Sequence, residues 1–328
     1  MDLLMAWGRR PRIGLALGGG AARGLAHLGV LEVLEEEGLA PVAVAGTSVG
    51  ALIGGIWLTA GSAEASIDRV QAFVRSPDYR KAELEYLSKA RIGEPSGWAA
   101  MIGRVMRRGV FYGRAFLNRS FVSQEAYRHN IDHLLPDIAI EQLPAPLAVV
   151  ATDLMTGDPV VFRRGPLRDA VAASGAVPGV MPPQEIDGRV LIDGGLSEKI
   201  PARALLAADV DIIVGVDVSS VLSPDPAVER GLEVITRAHQ LTEWNLRRTR
   251  NALCDVLIRP EVQDINWLNF SGARPAIRRG RAAAERALPL IREALRRARI
   301  ARAVGLSRRQ RAERLARAGW FGVPLEEI

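Results

Sequence analysis

Two short apolar runs, each ending in a cluster of small residues, follow one another within the first 50 residues, and they constrain the fold more tightly than anything else in the chain. Residues 13–17 (IGLAL) read as a strand that runs into the glycine loop 18–24 (GGGAARG). A helix follows: Leu25, Leu28, Leu31 and Val33 or Leu34 recur at helical spacing, residues 35–37 (EEE) close its solvent side, and Gly38 suits its C-terminal cap. Residues 42–45 form a second buried strand, which leads into Gly46-Thr47-Ser48-Val49-Gly50 and another helical stretch. Strand, loop, helix, strand, turn and helix in that order make a βαβα opening, which implies a parallel sheet joined by right-handed crossovers.

The turn at residues 46–50 has the G-x-S-x-G spacing of a nucleophile elbow. Small residues on either side of a serine let the backbone swing sharply from strand to helix, so the hydroxyl projects outward beside helix N-terminal amides. An ordinary glycine turn has the same composition, so the motif takes its meaning from what surrounds it. Further strands are predicted at 147–151 and 160–162, with Thr156-Gly157-Asp158 turning between them. Residues 167–173 read as a short helix entering the loop Ser174-Gly175-Ala176-Val177-Pro178-Gly179, which continues through Pro182-Pro183. The apolar triplet 190–192 delivers Asp193-Gly194-Gly195; Ile200-Pro201 starts a helix; 211–218 and 254–258 complete the sheet; helices run from about 277 to 304, with Pro289 in a first turn or at a kink. Neither an internal repeat nor a linker divides the chain, so residues 1–303 are expected to form one domain, followed by a basic tail at 304–328.

Cys254 is the only cysteine, which excludes an internal disulfide and gives no sign of a secreted scaffold; a cytoplasmic location, with peripheral membrane contact, is the expectation. Residues 1–7 are too short for a signal segment, and no stretch reaches the ~18 apolar residues of a membrane-spanning helix. The net charge of +6 conceals an asymmetry: positions 274–317 hold fifteen arginines against three glutamates, and the remainder is mildly acidic. Such a stretch suits either a solvated helix face or anionic lipid, with Trp320 and Phe321 beyond it adding an interfacial character; nucleic acid is not an expected partner. Trp98, Met101, Ile102 and Val105, flanked by Arg104, Arg107 and Arg108, make a second basic amphipathic piece suited to a lid or to ordinary core packing.

Ester hydrolysis needs a nucleophile, a proton acceptor and donors aimed at the developing oxyanion. Ser48 fits the first role. The glycine loop fits the third, because residues without Cβ allow amides to converge at a helix start. Dinucleotide binding fails on spacing, since the third glycine of G-x-G-x-x-G falls at Arg23, and the loop does not end in the Gly-Lys-Ser/Thr of a phosphate-binding loop. No histidine suits the second role well. His27 precedes the serine in the first helix, and His239 lies on an apolar stripe with Leu232, Ile235 and Leu246. His129 and His133, with Glu125 a turn earlier, lack the H-E-x-x-H pattern of a metal site. Asp193, at a strand end before two glycines, is the better acceptor, although an ordinary aspartate pKa near ~3.9 makes it a weak base unless desolvation raises it.

The glycine loop with Arg23, the Gly46–Gly50 elbow, the 174–178 segment and Asp193-Gly194-Gly195, in this order, resemble the patatin-like phospholipase family over about residues 12–220. The resemblance implies a three-layer α/β/α fold with a mainly parallel central sheet, of the bacterial single-domain type. It implies hydrolysis of lipid or lysophospholipid acyl esters by a Ser48-Asp193 dyad, with the amides of Gly18, Gly19, Gly20 and Ala21 as the oxyanion hole, Arg23 shaping that loop, and no cofactor or metal. A binding module that uses the Arg-rich tail at a membrane or protein surface, and a conventional Ser-His-Asp esterase that would need His239, are the other readings.

Overall fold

The computed structural model describes residues 12–77, 79, 120, 122–219, 253–266, 269, 270 and 273–303, with scattered positions between 234 and 245. The expected opening is present: strand β1 (Ile13–Leu17), a 3-10 turn (Ala21–Leu25), helix α1 (Ala26–Glu36), strand β2 (Ala43–Thr47) and helix α2 (Val49–Ala60). Helix α3 (Ala63–Arg75) begins at Ser62, whose hydroxyl accepts the Ala65 amide at 3.1 Å, and α4 (Gln124–Leu134) is capped the same way by Ser123. Then come β3 (Leu147–Asp153), β4 (Pro159–Phe162), α5 (Leu167–Ser174), β5 (Gln184–Ile186), β6 (Arg189–Asp193), β7 (Ile212–Val216), β8 (Val256–Ile258) and α6 (Ala273–Ala303).

Among the described residues these strands form one mixed sheet in the order β5-β6-β3-β2-β1-β7-β8, with β4 paired to β3. The run β3-β2-β1-β7-β8 is parallel; β4, β5 and β6 add the antiparallel pairs. Period-two alternation in β1 sorts the two faces. Ile13, Leu15 and Leu17 join the large core formed with the helices, including α1, α2 and α6. Ala16 faces a smaller cluster with Ile200, Ala202, Leu205 and Leu206 around the 3-10 turn Ala202–Leu205. The helix expected from Ile200-Pro201 is therefore only this turn, and the small side chains of β1–β3 on that face let it lie close.

Helix α6 departs further from expectation. One helix of 31 residues carries Pro289 inside it, because Ala284, Ala287, Ile291 and Leu295 continue a buried stripe past the proline. It crosses α1 at two glycines: a Cβ on Gly29 would lie 2.0 Å from the Ile277 carbonyl oxygen, and one on Gly280 1.9 Å from that of Ala26. The α1 glutamates, expected on a solvent side, are used here. Glu36 and Glu37 meet Arg281 and Arg292 of α6, while Glu35 accepts the indole N–H of Trp57 and the Ala63 amide. Strand β5, just after Pro182-Pro183, is not among the expected strands, because three residues are too few for a period. The amphipathic stretch 98–121, apart from Ser120, and the tail 304–328 lie outside the described residues, as does His239. No described helix is long and apolar enough to cross a membrane.

Candidate active site

Ser48 stands between the end of β2 and the start of α2 with φ 55° and ψ −126°, a conformation that costs a non-glycine residue about 1–3 kcal/mol. The surrounding structure enforces it. A Cβ on Gly50 would lie 2.1 Å from the Leu17 carbonyl oxygen, and one on Gly46 2.4 Å from the Ala51 backbone, so the strand-to-helix turn closes only with glycine at both places. The Ser48 carbonyl accepts the Ala51 and Leu52 amides, and its own amide donates to Ser174 Oγ at 2.8 Å. Ser174 in turn donates to the Val150 carbonyl at 2.5 Å, tying the elbow to β3.

The pairing registers of β3 bring Asp193 to the same place. Val150 is paired with Thr47 of β2 and Val161 of β4, whereas Ala151 is paired with Asp193 of β6 and Val160 of β4. Since β4 occupies one edge throughout, β2 and β6 share the other, β6 taking over at the next residue once β2 turns away at Ser48. The end of β2 and Asp193 are thus one step apart along β3, about 3.3 Å. Asp193 is 8% exposed; its amide donates to Ala176 O, its carbonyl accepts from Thr152 Oγ1, and its Oδ1 accepts the Gly195 amide at 2.7 Å. The aspartate is fixed by these three hydrogen bonds of its own backbone and side chain, as an acceptor aimed at one partner must be.

The glycine loop differs from expectation in detail. Gly18 donates its amide to Val216 O and Gly19 to Lys199 O, both at 3.1 Å, so these two amides are engaged in holding the loop on β7 and on residue 199. Gly20 and Ala21, at the start of the 3-10 turn, make no such pairing among the described residues, and Ala21 has φ 50°, a second strained residue beside Ser48. The buried Arg23 side chain donates to Ile265 O and Gln263 O and so ties the loop to that segment. His27 is fully buried with Nε2 2.8 Å from Gly18 O; burial pushes its pKa down to about 4, against that hydrogen bond and the charge of Asp217. A neutral ring must therefore carry its proton on Nε2 and donate it to the loop.

Beside Ser48 opens a cavity of about 130 Å³, lined by Leu25, Leu52, Ile53, Ile56, Phe73 and Val180 among other apolar side chains. Helix α4 supplies Tyr127, Asn130, Ile131 and Leu134 to the same wall. The Tyr127 hydroxyl donates to Ala172 O at 2.7 Å; burial first, then the nearby Asp193 charge, hold the phenol well above its ordinary range. Neither Ser174 as a tether nor the polar wall residues were found from sequence, although the 127-130-131-134 spacing on one helical face was a signal available there. His133 packs against Phe73, ring centroids 5.4 Å apart, and no group of three His, Cys, Asp or Glu converges among the described residues.

A family model described as patatin-like phospholipase matches residues 15–206. An uncharacterised NTE family protein of Mycobacterium tuberculosis is 34% identical over 248 residues, 75% of this chain and 58% of that protein. Neuropathy target esterase sws of Drosophila melanogaster is 30% identical over 219 residues, 66% of this chain and 14% of that protein. The chain thus spans little more than half the length of the mycobacterial relative and a small part of the insect one. Among solved structures, VipD from Legionella pneumophila matches with a TM-score of 0.42 at 14% identity, over 85% of this chain and 67% of that one.

Proposed function

Because this chain belongs to the patatin-like phospholipase family, we propose that it hydrolyses lipid acyl esters through Ser48 and Asp193. The observation that carries the reading is a strained serine at the wall of an apolar cavity, directly after the strand end whose β3 partner is next to that of Asp193. An acyl chain lying in that cavity puts its ester carbonyl at the serine. Asp193 takes the Ser48 proton as Oγ attacks, and the amides of Gly20 and Ala21 receive the oxyanion that forms. Collapse breaks the ester C–O bond, the proton leaves with the alcohol, and the acyl group remains on Ser48. Water, giving a proton to the same aspartate, then attacks the acyl-enzyme; the bond to Ser48 Oγ breaks, Oγ takes that proton back from Asp193, and the fatty acid leaves. His27, held neutral, keeps the loop carbonyl of Gly18 turned inward to itself and so fixes the direction of the neighbouring amides.

Support for work at a lipid surface comes from Leu154 and Met155, 49% and 79% exposed, on the β3–β4 turn at the same end of the parallel strands as Ser48. Treatment with a fluorophosphonate probe, followed by mass mapping, is expected to place the label on Ser48. Ser48→Ala should abolish both labelling and hydrolysis of a nitrophenyl ester. Label on another residue, or undiminished turnover in that variant, overturns the reading.

A further inference from the structure

Asn130 is the anomaly of the cavity. It is 7% exposed on the buried face of α4, it lines the space beside Ser48, and neither its Oδ1 nor its Nδ2 has a hydrogen-bond partner among the described residues. A carboxamide in such a place, on a wall otherwise made by residues such as Leu52, Ile56 and Leu134, is a donor and an acceptor waiting for one polar group in an apolar surrounding. We propose that Asn130 reads an in-chain hydroxyl, so that the cavity selects hydroxylated acyl chains over plain ones.

The chemistry of the amide narrows the choice. Its oxygen needs a donor and its NH2 needs an acceptor, and a hydroxyl supplies both from one atom. An oxo group only accepts, leaving Oδ1 unpaired, and a methylene satisfies neither. A plain chain that fills the cavity strips any water from the amide and leaves it buried without a partner, so the discrimination comes from a penalty on the plain chain as well as a gain for the hydroxylated one. Position follows from the helix. Asn130 lies three residues beyond Tyr127 on the cavity-lining side of α4, ~4.5 Å from it along the axis, so it meets the ligand one helical turn away from that phenol.

This inference rests on the acyl-ester reading of Ser48, and its test separates the two. Nitrophenyl decanoates carrying one hydroxyl at successive carbons, the matching oxo esters and the plain ester are compared by kcat/KM. The corresponding methyl esters are compared by binding to Ser48→Ala, which requires no turnover. The expectation is a preference of about tenfold or more for one hydroxyl position over the plain chain, with the oxo chain between them, in both assays. Asn130→Leu, which removes an unpaired buried amide, should fold with an unchanged or higher Tm. It should bring the hydroxyl-to-plain ratio to one or below, mainly by improving the plain ester. Asn130→Ala provides the same comparison should Leu not fit. Equal or better handling of plain chains by the native protein, a best ligand with an oxo group, or a ratio unmoved in Asn130→Leu overturns the inference. A binding preference that persists while Ser48 takes no fluorophosphonate sustains the subsite and sinks the hydrolase instead.

Discussion

The elbow and the α1–α6 crossing both bring backbones closer than a Cβ permits, at 2.1 Å over Gly50 and 1.9 Å over Gly280, yet the two regions are completed in opposite ways. Around Ser48 the polar groups are buried and joined by neutral hydrogen bonds of fixed direction: Ser48 amide to Ser174, Ser174 to Val150 O, Asp193 amide to Ala176 O, His27 to Gly18 O. Along α6 the polar groups are exposed arginines paired with acids of the same chain, as Arg281 with Glu32, Glu36 and Glu285, and Arg302 with Asp209 and Asp211. Buried neutral bonds are directional and intolerant of loss; exposed ion pairs are interchangeable and screened by salt. Chemistry needs the first kind, and attachment of a helix is content with the second.

The largest contrast is expected in catalysis. Asp193→Asn should lower kcat for a nitrophenyl ester by about a thousandfold or more, since removing one member of a nucleophile-base pair disables both. The Tm should change far less, because an amide oxygen can still accept from the Gly195 N–H. The steady-state rates of Asp193→Asn and Arg292→Ala, measured side by side, give the comparison its sharpest form. A rate loss of similar size at Arg292, which among the described residues pairs with Glu37 just after α1, would break it.

Acid should separate the two regions next. Burial pushes the His27 pKa down to about 4 from the ordinary 6.5. Between these values the unfolded chain binds a proton that the folded chain refuses. Stability is therefore full above pH 6.5, declines as pH falls toward 4, and loses about 3 kcal/mol in that window at ~1.4 kcal/mol per pH unit. Glu293 of α6, held down to about 2 by hydrogen bonds from Arg296 and Arg297, keeps its charge throughout the same window and responds only below the usual carboxylate range. Urea midpoints at pH 7 and pH 4 test this. His27→Gln, which retains a donor for Gly18 O but does not titrate, should show a visibly flatter decline than the native chain.

Smaller, but confined to the site, is the effect of the tether. Ser174→Ala leaves the Ser48 amide and Val150 O short of a partner in a buried place, at a cost of about 2 kcal/mol, and lets the elbow drift relative to Asp193. Its kcat should fall while KM holds, and a normal kcat would mean that the elbow glycines alone set the serine.

The same contrast explains what was legible in the sequence. Backbone demands leave a mark in residue type: the glycines at 46 and 50, the loop at 18–24 and Asp193 before two glycines were readable because few residues can satisfy such geometry. Tertiary pairing leaves none. Nothing in the chain announces that Glu36 and Arg281, 245 positions apart, will meet: the glutamates read as a solvent side and the arginines as a solvated helix face or a lipid contact, and both do lie at the surface, but their pairing left no trace. The engaged amides of Gly18 and Gly19 were equally hidden, because their partners, Val216 O and Lys199 O, are backbone atoms that carry no sequence signature. Of the two places open to Pro289, the first turn is ruled out for a related reason: its local preference for a helix start is overridden by a buried stripe that only the packed fold supplies.

The smallest effect should fall on the arginines. Arg281 touches three carboxylates, and its guanidinium pKa is pushed up by hydrogen bonds from it to Glu36 and then Glu32, which by count suggests a strong anchor. Its side chain is 36% exposed, however, so water and salt compete for the same groups. What holds α6 in place is the close backbone approach at Gly29 and Gly280 and the stripe Ala276, Ala284, Ala287, Ile291 and Leu295, all of it away from solvent. Arg281→Ala should therefore shift the Tm by no more than about 2 °C at low salt, less at high salt, and leave ester hydrolysis unchanged. A fall of more than about 6 °C would mean that charge rather than packing attaches the helix. The arginines of 273–303 would then be structural in the sense that Ser174 is, and the division between directional and interchangeable contacts would not hold.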